Sequence, residues 1–166
     1  IFAACITLDG HAFEATPDTV SEYIRQLDMR QGVLRRSFVH EADGRKTLFF
    51  FERFASLAHP HLAGQEIVIT PLNWRGEIKV ALFVDANVTN RSRRHVRLLH
   101  ARRFAQDTAM LVADTGDRIG RIGHAFRAQS WVHQKPPPEP VERALPEGIG
   151  LHYTTQLEIG QRAVFN

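Results

Sequence analysis

The sequence of 166 residues contains a single cysteine, Cys5, and no long hydrophobic run. One cysteine cannot form an intramolecular disulfide or complete a cysteine-rich zinc site, so we expect a protein of the reducing cytoplasm that needs no cofactor. Cys5 lies in an apolar segment, residues 1–6, and this apolar environment is expected to make its thiol inert. No stretch approaches the roughly 20 apolar residues of a membrane-spanning helix, and we expect no membrane partner.

Neither disorder nor a collagen-like repeat is compatible with the composition, which is 43% hydrophobic and 23% charged. These values are typical of one soluble globular domain, and we assign residues 1–166 to a single domain. The chain starts at Ile1, without methionine and inside an apolar run typical of a strand. We therefore expect it to be a piece of a longer protein.

Turn signals recur at intervals of about eight to twelve residues, which is typical of short antiparallel strands. Asp9-Gly10 and Asp43-Gly44 predict hairpins, because this dipeptide tolerates the positive φ angles of tight turns. Residues 73–76 and 115–117 predict two further hairpins. The fold class predicted from this pattern is all-β.

The spacing of apolar residues within the predicted strands indicates which strand faces are buried between sheets. Residues 77–84 alternate apolar and polar side chains, which predicts a strand with one buried face. Residues 48–51 and 110–113 are apolar at every position, which indicates central strands covered on both faces. The sequence therefore predicts an antiparallel β-sandwich.

Two segments depart from this strand pattern. Residues 16–27 predict a short helix, because Thr16 can cap its start, Pro17 suits its first position, and apolar residues recur at helical spacing. The proline-rich run 135–140 cannot donate the hydrogen bonds of a sheet and predicts an extended, exposed connection. Residues 150–165 then return to strand character, so the 166 residues contain no sign of a second domain.

Most motifs for catalysis or metal binding are missing. His59-Pro60-His61 could place two imidazoles on one metal, but no third ligand is nearby, and an exposed loop is favoured. Neither a nucleophile elbow nor a phosphate-binding loop occurs. Residues 118–123 carry two glycines without a following helix, so they predict a strand. No catalytic residue and no metal ligand is assigned.

The remaining candidates are contact residues. Arginines cluster between Arg91 and Arg103, but apolar residues interrupt them, which favours a salt-bridged interface over the continuous basic face that nucleic acid requires. Trp74 and Trp131 could stack on sugar rings or pack against a neighbouring domain. We therefore take Trp74, Trp131 and Arg91 as candidate carbohydrate or domain contacts, and expect no nucleic-acid partner.

Several segments together resemble a known family. The run Leu-Asp-Met-Arg-Gln-Gly-Val-Leu at 27–34 and the segments 52–58 and 69–73 resemble the amino-terminal domain of glycoside hydrolase family 65. That family includes maltose, trehalose, kojibiose and nigerose phosphorylases and acid trehalases. The resemblance implies a galactose-mutarotase-like supersandwich that packs, through a helical linker, on an (α/α)6 catalytic barrel. Because the family's domain has further strands before the position of Ile1, the resemblance also implies that this chain is a partial domain. It also implies that residues 20–29 are extended, and we give this precedence over the helix pattern.

The resemblance implies a role without catalysis for this chain. The family's general-acid glutamate and phosphate site belong to the barrel, so no catalytic residue is transferred. The implied parent is an inverting α-glucoside phosphorylase or hydrolase with a disaccharide and inorganic phosphate as substrates. This domain would support the barrel and a homodimer. The alternative is a separate carbohydrate-binding or interaction module, for which both tryptophans would be exposed on one surface.

Overall fold

The computed structural model describes residues 2–90, 93–116, 119–133 and 139–166. Within these ranges every regular element is a β-strand and none is a helix, which confirms the all-β fold class. The strands are β1 (Phe2–Leu8), β2 (His11–Ala12), β3 (Val20–Asp28), β4 (Val33–Ala42), β5 (Arg45–Ala55), β6 (Ala63–Pro71), β7 (Gly76–Asp85), β8 (Thr89–Asn90), β9 (Arg93–Arg94), β10 (Val96–Ala105), β11 (Thr108–Thr115), β12 (Arg121–Arg127), β13 (Ser130–Val132), β14 (Val141–Leu145), β15 (Gly148–Leu157) and β16 (Ala163–Phe165).

The chain divides into two compact units. The first comprises Ile1–Thr7, Lys79–Gln129 and Pro138–Thr154. The second comprises Leu8–Ile78, Ser130–Pro137 and Thr155–Asn166. Each unit thus collects segments that are distant in sequence, although most of the strand pairs join consecutive strands.

The first unit holds a three-stranded sheet of order β10-β11-β12 and a two-stranded ribbon, β8-β9. It also holds most of a five-stranded sheet of order β14-β15-β7-β1-β2. Both pairs in the three-stranded sheet are antiparallel. The buried core residues of this unit are mostly apolar. They include Val80, Val84, Leu111, Ile149 and Leu151.

The second unit is built on a six-stranded antiparallel sheet of order β13-β16-β6-β5-β4-β3. One face of this sheet is the core, where Phe38, Phe49, Ile69 and Phe165 are at most 1% exposed. Phe13 covers part of that face, with its ring centroid 4.3 Å from that of Phe49. Stacked rings at this separation add to the free energy gained by burying apolar area.

Three of the four predicted hairpins are confirmed. In the turns Asp9-Gly10 and Asp43-Gly44 all four residues have positive φ, as the dipeptide predicted. Strands β11 and β12 pair as expected, although Asp117 in their turn lies outside the described residues. The hairpin predicted at 73–76 is wrong, because β6 and β7 belong to different sheets. Turn chemistry predicts where a strand ends but does not determine its next partner.

The helix predicted for residues 16–27 is also wrong, and the extended segment implied by the family resemblance is confirmed. The capping signals produce a single turn, in which the Thr19 amide donates to the Thr16 carbonyl at 3.1 Å. The chain then enters β3, whose register against β4 slips between Ser21 and Ile24. This β-bulge inserts an extra residue, which breaks the two-residue alternation and makes the apolar spacing resemble that of a helix.

Two further predictions concern Cys5 and the proline run at 135–140. Cys5 is exposed, so the apolar environment predicted for its thiol is wrong. It lies on β1, where neighbouring side chains alternate between faces, and Ile6 rather than Cys5 takes the buried position. The proline run at 135–140 lies mostly outside the described residues, and its described part, Glu139-Pro140, forms no strand.

Candidate functional site

Trp74 lies in the connection between β6 and β7 and is only 7% exposed. Its indole Nε1 donates a hydrogen bond to the Thr47 hydroxyl at 2.9 Å. The Arg45 guanidinium lies 5.6 Å from the indole ring centroid, and Arg45 also pairs with Asp9 at 2.8 Å. These residues belong to the second unit, so Trp74 is held within that unit.

A small cavity adjoins Trp74 in the second unit. Its volume is about 50 Å³, and its lining includes Phe13, His40, Thr47 and Trp74. Ligand clefts usually measure about 300–1,000 Å³, so a disaccharide does not fit here. The cavity is therefore a gap in an aromatic core and not a sugar-binding cleft.

Replacing Trp74 with phenylalanine should lower the free energy of unfolding by about 2 kcal/mol. The change removes the indole N–H and leaves the Thr47 hydroxyl, which is 1% exposed, without this donor. Urea unfolding checks the value. The double variant Trp74→Phe/Thr47→Val should lose less free energy of unfolding than the sum of the losses in its two single variants. Strict additivity would contradict the importance of this hydrogen bond.

His40 is buried beside the same cavity. Its imidazole meets the Phe13 ring edge to face, with the two ring centroids 4.9 Å apart. Burial lowers the pKa of its imidazole, and a hydrogen bond to the Glu14 backbone acts in the opposite direction. The folded protein therefore binds a proton at His40 less readily than the unfolded chain does.

The free energy of unfolding should consequently fall as the pH decreases. Above about pH 6.5 His40 is neutral in both states, whereas below it the unfolded chain is protonated first. We expect His40→Gln to reduce the loss of stability between about pH 7.5 and 5, measured by urea unfolding across that range. A pH dependence identical to that of the wild type would contradict this assignment. His59→Gln, in an exposed loop, is the matched control.

Trp131 is the candidate that lies nearer the surface. It occupies the centre of β13, an edge strand of the six-stranded sheet, and pairs with Val164 of β16. Its side chain is half-buried. Arg91, the third candidate, lies outside the described residues, so the structure places only two of the three.

Arginine and carboxylate side chains pair repeatedly on the surface of the first unit. Arg97 and Arg121 both approach Asp114, at 3.2 and 3.5 Å, and Arg127 contacts Asp107 at 2.6 Å. The hydrogen bond from Arg127 lowers the pKa of Asp107, which keeps this carboxyl ionised. Such paired charges are typical of a structural surface, as the interrupted arginine cluster suggested.

The distinctive run at 27–34 forms the turn between β3 and β4. The Asp28 carboxylate accepts hydrogen bonds from the amides of Arg30 and Gln31 at 3.1 and 3.0 Å. Gly32 takes a φ of 69°, and its amide donates to the Asp28 carbonyl at 2.8 Å. Arg35 then approaches Asp28 at 3.6 Å. The residues most specific to the family resemblance therefore fix a hairpin tip.

No group of three or more potential metal ligands occurs in the described part of the chain. His59 and His61 lie in an exposed loop, as expected for two histidines without a third ligand. Among the described residues there is also no helix that is long and apolar enough to cross a membrane. The sequence analysis missed two features, the His40 cavity and the half-exposed face around Trp131. The continuous apolar run 48–51 was the one signal for the latter.

Comparison with known proteins gives relatives that include disaccharide phosphorylases. A kojibiose phosphorylase of Halothermothrix orenii is 35% identical over 91 residues, which is 54% of this chain and 12% of that protein. An alpha,alpha-trehalose phosphorylase of Thermoanaerobacter brockii is 32% identical over 84 residues, 50% of this chain and 11% of that protein. The chain thus spans about a tenth of the length of these curated relatives.

Comparison with solved structures agrees with the fold. A putative kojibiose phosphorylase from the human microbiome matches 98% of this chain and 21% of its own chain, with a TM-score of 0.80 and 16% identity. This likeness confirms the antiparallel β-sandwich. The family model described as glycosyl hydrolase family 65, N-terminal domain, matches residues 3–166. The chain therefore belongs to glycoside hydrolase family 65, as its N-terminal domain.

Proposed function

We propose that this chain is the non-catalytic N-terminal domain of an inverting α-glucoside phosphorylase that acts on a disaccharide. The observation that carries this proposal is the family match over residues 3–166, together with relatives named as kojibiose and trehalose phosphorylases. In the proposed reaction, inorganic phosphate attacks the anomeric carbon while a carboxylic acid protonates the leaving oxygen. The glycosidic bond breaks and β-glucose 1-phosphate forms. In the hydrolytic alternative, water takes the place of phosphate.

The non-catalytic role is supported by the state of the carboxylates. A general acid for glycosidic cleavage needs a raised pKa, which burial in an apolar site provides. The pKa of Asp107 is instead lowered by its hydrogen bond from Arg127. Other carboxylates, such as Glu52 and Asp114, lie in ion pairs with arginine. Asp107 is therefore unsuited to the general-acid role, and the proposal places the general acid and the phosphate site in another part of the protein.

In this proposal residues 1–166 act as one domain that buttresses a catalytic barrel and contributes to a homodimer in the cytoplasm. Trp131 is the contact residue that the geometry favours, because it is half-buried at a sheet edge. Trp74 acts indirectly, since its indole is buried within its own unit. Arg91 stays a candidate contact on the strength of its sequence position.

The test is product analysis with the full-length protein. Kojibiose, trehalose and maltose are supplied separately with inorganic phosphate, and the products are followed by proton and phosphorus NMR. We expect one disaccharide to yield glucose and β-glucose 1-phosphate only when phosphate is present. Release of two glucose molecules without phosphate would establish the hydrolytic alternative. Saturable sugar binding without turnover, abolished by Trp131→Ala, would favour a carbohydrate-binding module.

A further inference from the structure

One corner of the six-stranded sheet gathers three arginines on a single face. Arg25 of β3 is paired with Arg36 of β4, and Arg36 is paired with Phe51 of β5. Paired residues on adjacent antiparallel strands lie on the same face, and Arg53, two residues beyond Phe51, lies on that face as well. We call Arg25, Arg36 and Arg53 the arginine corner. All three belong to the second unit.

The arginine corner differs from the other basic side chains of this sheet in its lack of an anionic partner. In the described part of the chain, none of its three guanidinium groups takes part in an ion pair or a hydrogen bond. The other Arg and Lys residues on the strands of the sheet are Arg35, Arg45 and Lys46. Each of these pairs with a carboxylate, at 2.7, 2.8 and 3.4 Å. The unmatched positive charge of the sheet is therefore confined to one corner of one face.

The register sets these like charges close together. Directly opposed residues such as Arg25 and Arg36 have Cβ atoms about 4.5–5.5 Å apart, and diagonal neighbours such as Arg36 and Arg53 are about 7–8 Å apart. Like charges at directly opposed positions destabilise a sheet. An anion placed between the arginines replaces this repulsion with attraction. The arrangement is therefore unfavourable by itself and favourable with an anion bound.

Aromatic neighbours hold the central arginine in place. The Arg36 guanidinium carbon lies 4.4 Å from the ring centroid of Phe51 and 5.4 Å from that of Phe38. Stacking of this kind fixes the plane of the guanidinium and leaves its N–H edge free to donate to oxygen atoms. Arg36 is half-buried, whereas Arg25 and Arg53 are exposed. The arginine corner therefore combines one ordered donor with two accessible ones.

We propose that the arginine corner binds a phosphate group, carried either by inorganic phosphate or by a sugar phosphate. A phosphate group has a charge of about −2 and three strong acceptor oxygens, which match several guanidinium forks better than a single carboxylate does. Leu27, Leu34 and Ile67 border the corner in the same register. These apolar residues limit the corner to one such group, whereas nucleic acid requires a continuous basic face.

Tyr23 separates the two sources of the phosphate group. Its ring stacks with that of Phe38 at a centroid distance of 6.1 Å, so it lies on the same face, and it is 52% exposed. The apolar face of a hexose packs on an exposed aromatic ring, so a sugar phosphate contacts Tyr23 as well as the arginines. The choice of inorganic phosphate and β-glucose 1-phosphate as probes rests on the proposed function, in which they are reactant and product.

Hydrogen exchange of β3, measured by mass spectrometry on the full-length protein, tests the proposal. β3 is the edge strand of its sheet and pairs there with β4, so a ligand that bridges Arg25 and Arg36 ties the two strands together. A ligand that binds only the closed strand slows exchange by the factor 1 + [L]/Kd. We therefore expect peptides covering residues 20–28 to exchange about twofold more slowly at half-saturation with either phosphate compound. Sodium chloride at the same ionic strength, and glucose, should leave the rate unchanged.

Three variants locate the bound group, each compared with its own rate in the absence of ligand. Arg25→Gln/Arg36→Gln should abolish the slowing, whereas Arg35→Gln, which removes a paired arginine from the opposite face of β4, should preserve it. Tyr23→Ala identifies the source, because it weakens the effect of β-glucose 1-phosphate only where the sugar contacts the ring.

Three results would overturn the proposal. They are equal slowing by sodium chloride, slowing that persists in Arg25→Gln/Arg36→Gln, and no slowing by either phosphate compound. Hydrogen exchange requires no turnover, so an enzyme that proves to be a hydrolase would still show the slowing by inorganic phosphate. A failure of the proposed phosphorolysis is therefore distinguishable from a failure of the arginine corner to bind phosphate.

Discussion

Replacing Gly148 with alanine should lower the free energy of unfolding by about 3 kcal/mol or more, one of the two largest effects expected in this chain. A Cβ at this position would lie 2.3 Å from the carbonyl oxygen of Val84 and 3.0 Å from the Cα of Asp85. Both atoms belong to the backbone of β7, the strand next to β15. They cannot move away without disturbing the pairing of the two strands.

Gly123→Ala is the matched control for Gly148→Ala. Gly123 also lies in a strand, but nothing lies within 4 Å of its added Cβ, and its φ is not positive. We expect its free energy of unfolding to stay within about 0.5 kcal/mol of the wild type or to rise slightly. Urea unfolding of the two variants compares them directly. Equal stability losses would contradict the close approach of β15 and β7.

Replacing Phe49 with alanine should lower the free energy of unfolding by about 3–5 kcal/mol. Phe49 has no exposed surface and lies at the centre of β5, which is itself flanked by β4 and β6. Its ring contacts those of Phe13, Phe38 and Phe51 at centroid distances of 4.3, 5.4 and 5.9 Å. The substitution therefore leaves a cavity and also removes these aromatic contacts.

The control for Phe49→Ala is Leu57→Ala, at a position that is 98% exposed. We expect the free energy of unfolding of that variant to lie within about 0.5 kcal/mol of the wild-type value. Thermal and urea unfolding both measure the difference. If Phe49→Ala lowers the free energy of unfolding by less than about 1 kcal/mol, the placement of Phe49 in an aromatic core of the second unit is contradicted.

Much of the strand structure could be predicted from local sequence. The Asp-Gly turns fix two strand boundaries because few other residues tolerate positive φ, and both turns form as predicted. The apolar face of the alternation at 77–84 is confirmed by Ile78, Val80 and Val84, which are all at most 1% exposed, although Ala81 on the other face is buried as well. These features depend on neighbours in sequence, so periodicity was sufficient to find them.

Features that depend on long-range pairing were not predictable from the residues alone. The bulge between Ser21 and Ile24 shifts the alternation of β3, and pairing with β4 holds the segment extended despite its capping signals. The family resemblance corrected this error, because it carries information on tertiary structure. The connection at 73–76 was misassigned for a similar reason, since its two strands join different sheets.

The candidate site was predicted only in part. Tryptophan chemistry singled out Trp74 and Trp131 but could not determine that one lies in the core and the other at a sheet edge. The alignment of Trp131 with Ile24 across the six-stranded sheet depends on the register of five strand pairs, and a shift of one residue would turn these side chains to the other face. Residue composition carries no record of that register.

A carboxyl-to-amide scan of the full-length protein tests the central claim that this domain carries no catalytic group. Each of the 18 Asp and Glu residues of the chain is replaced singly by its amide, and kcat is measured on the disaccharide that the enzyme cleaves. We predict that every folded variant keeps kcat within about threefold of the wild type. One folded variant with a loss of about 10²-fold or more would identify a general acid in this domain and contradict the account.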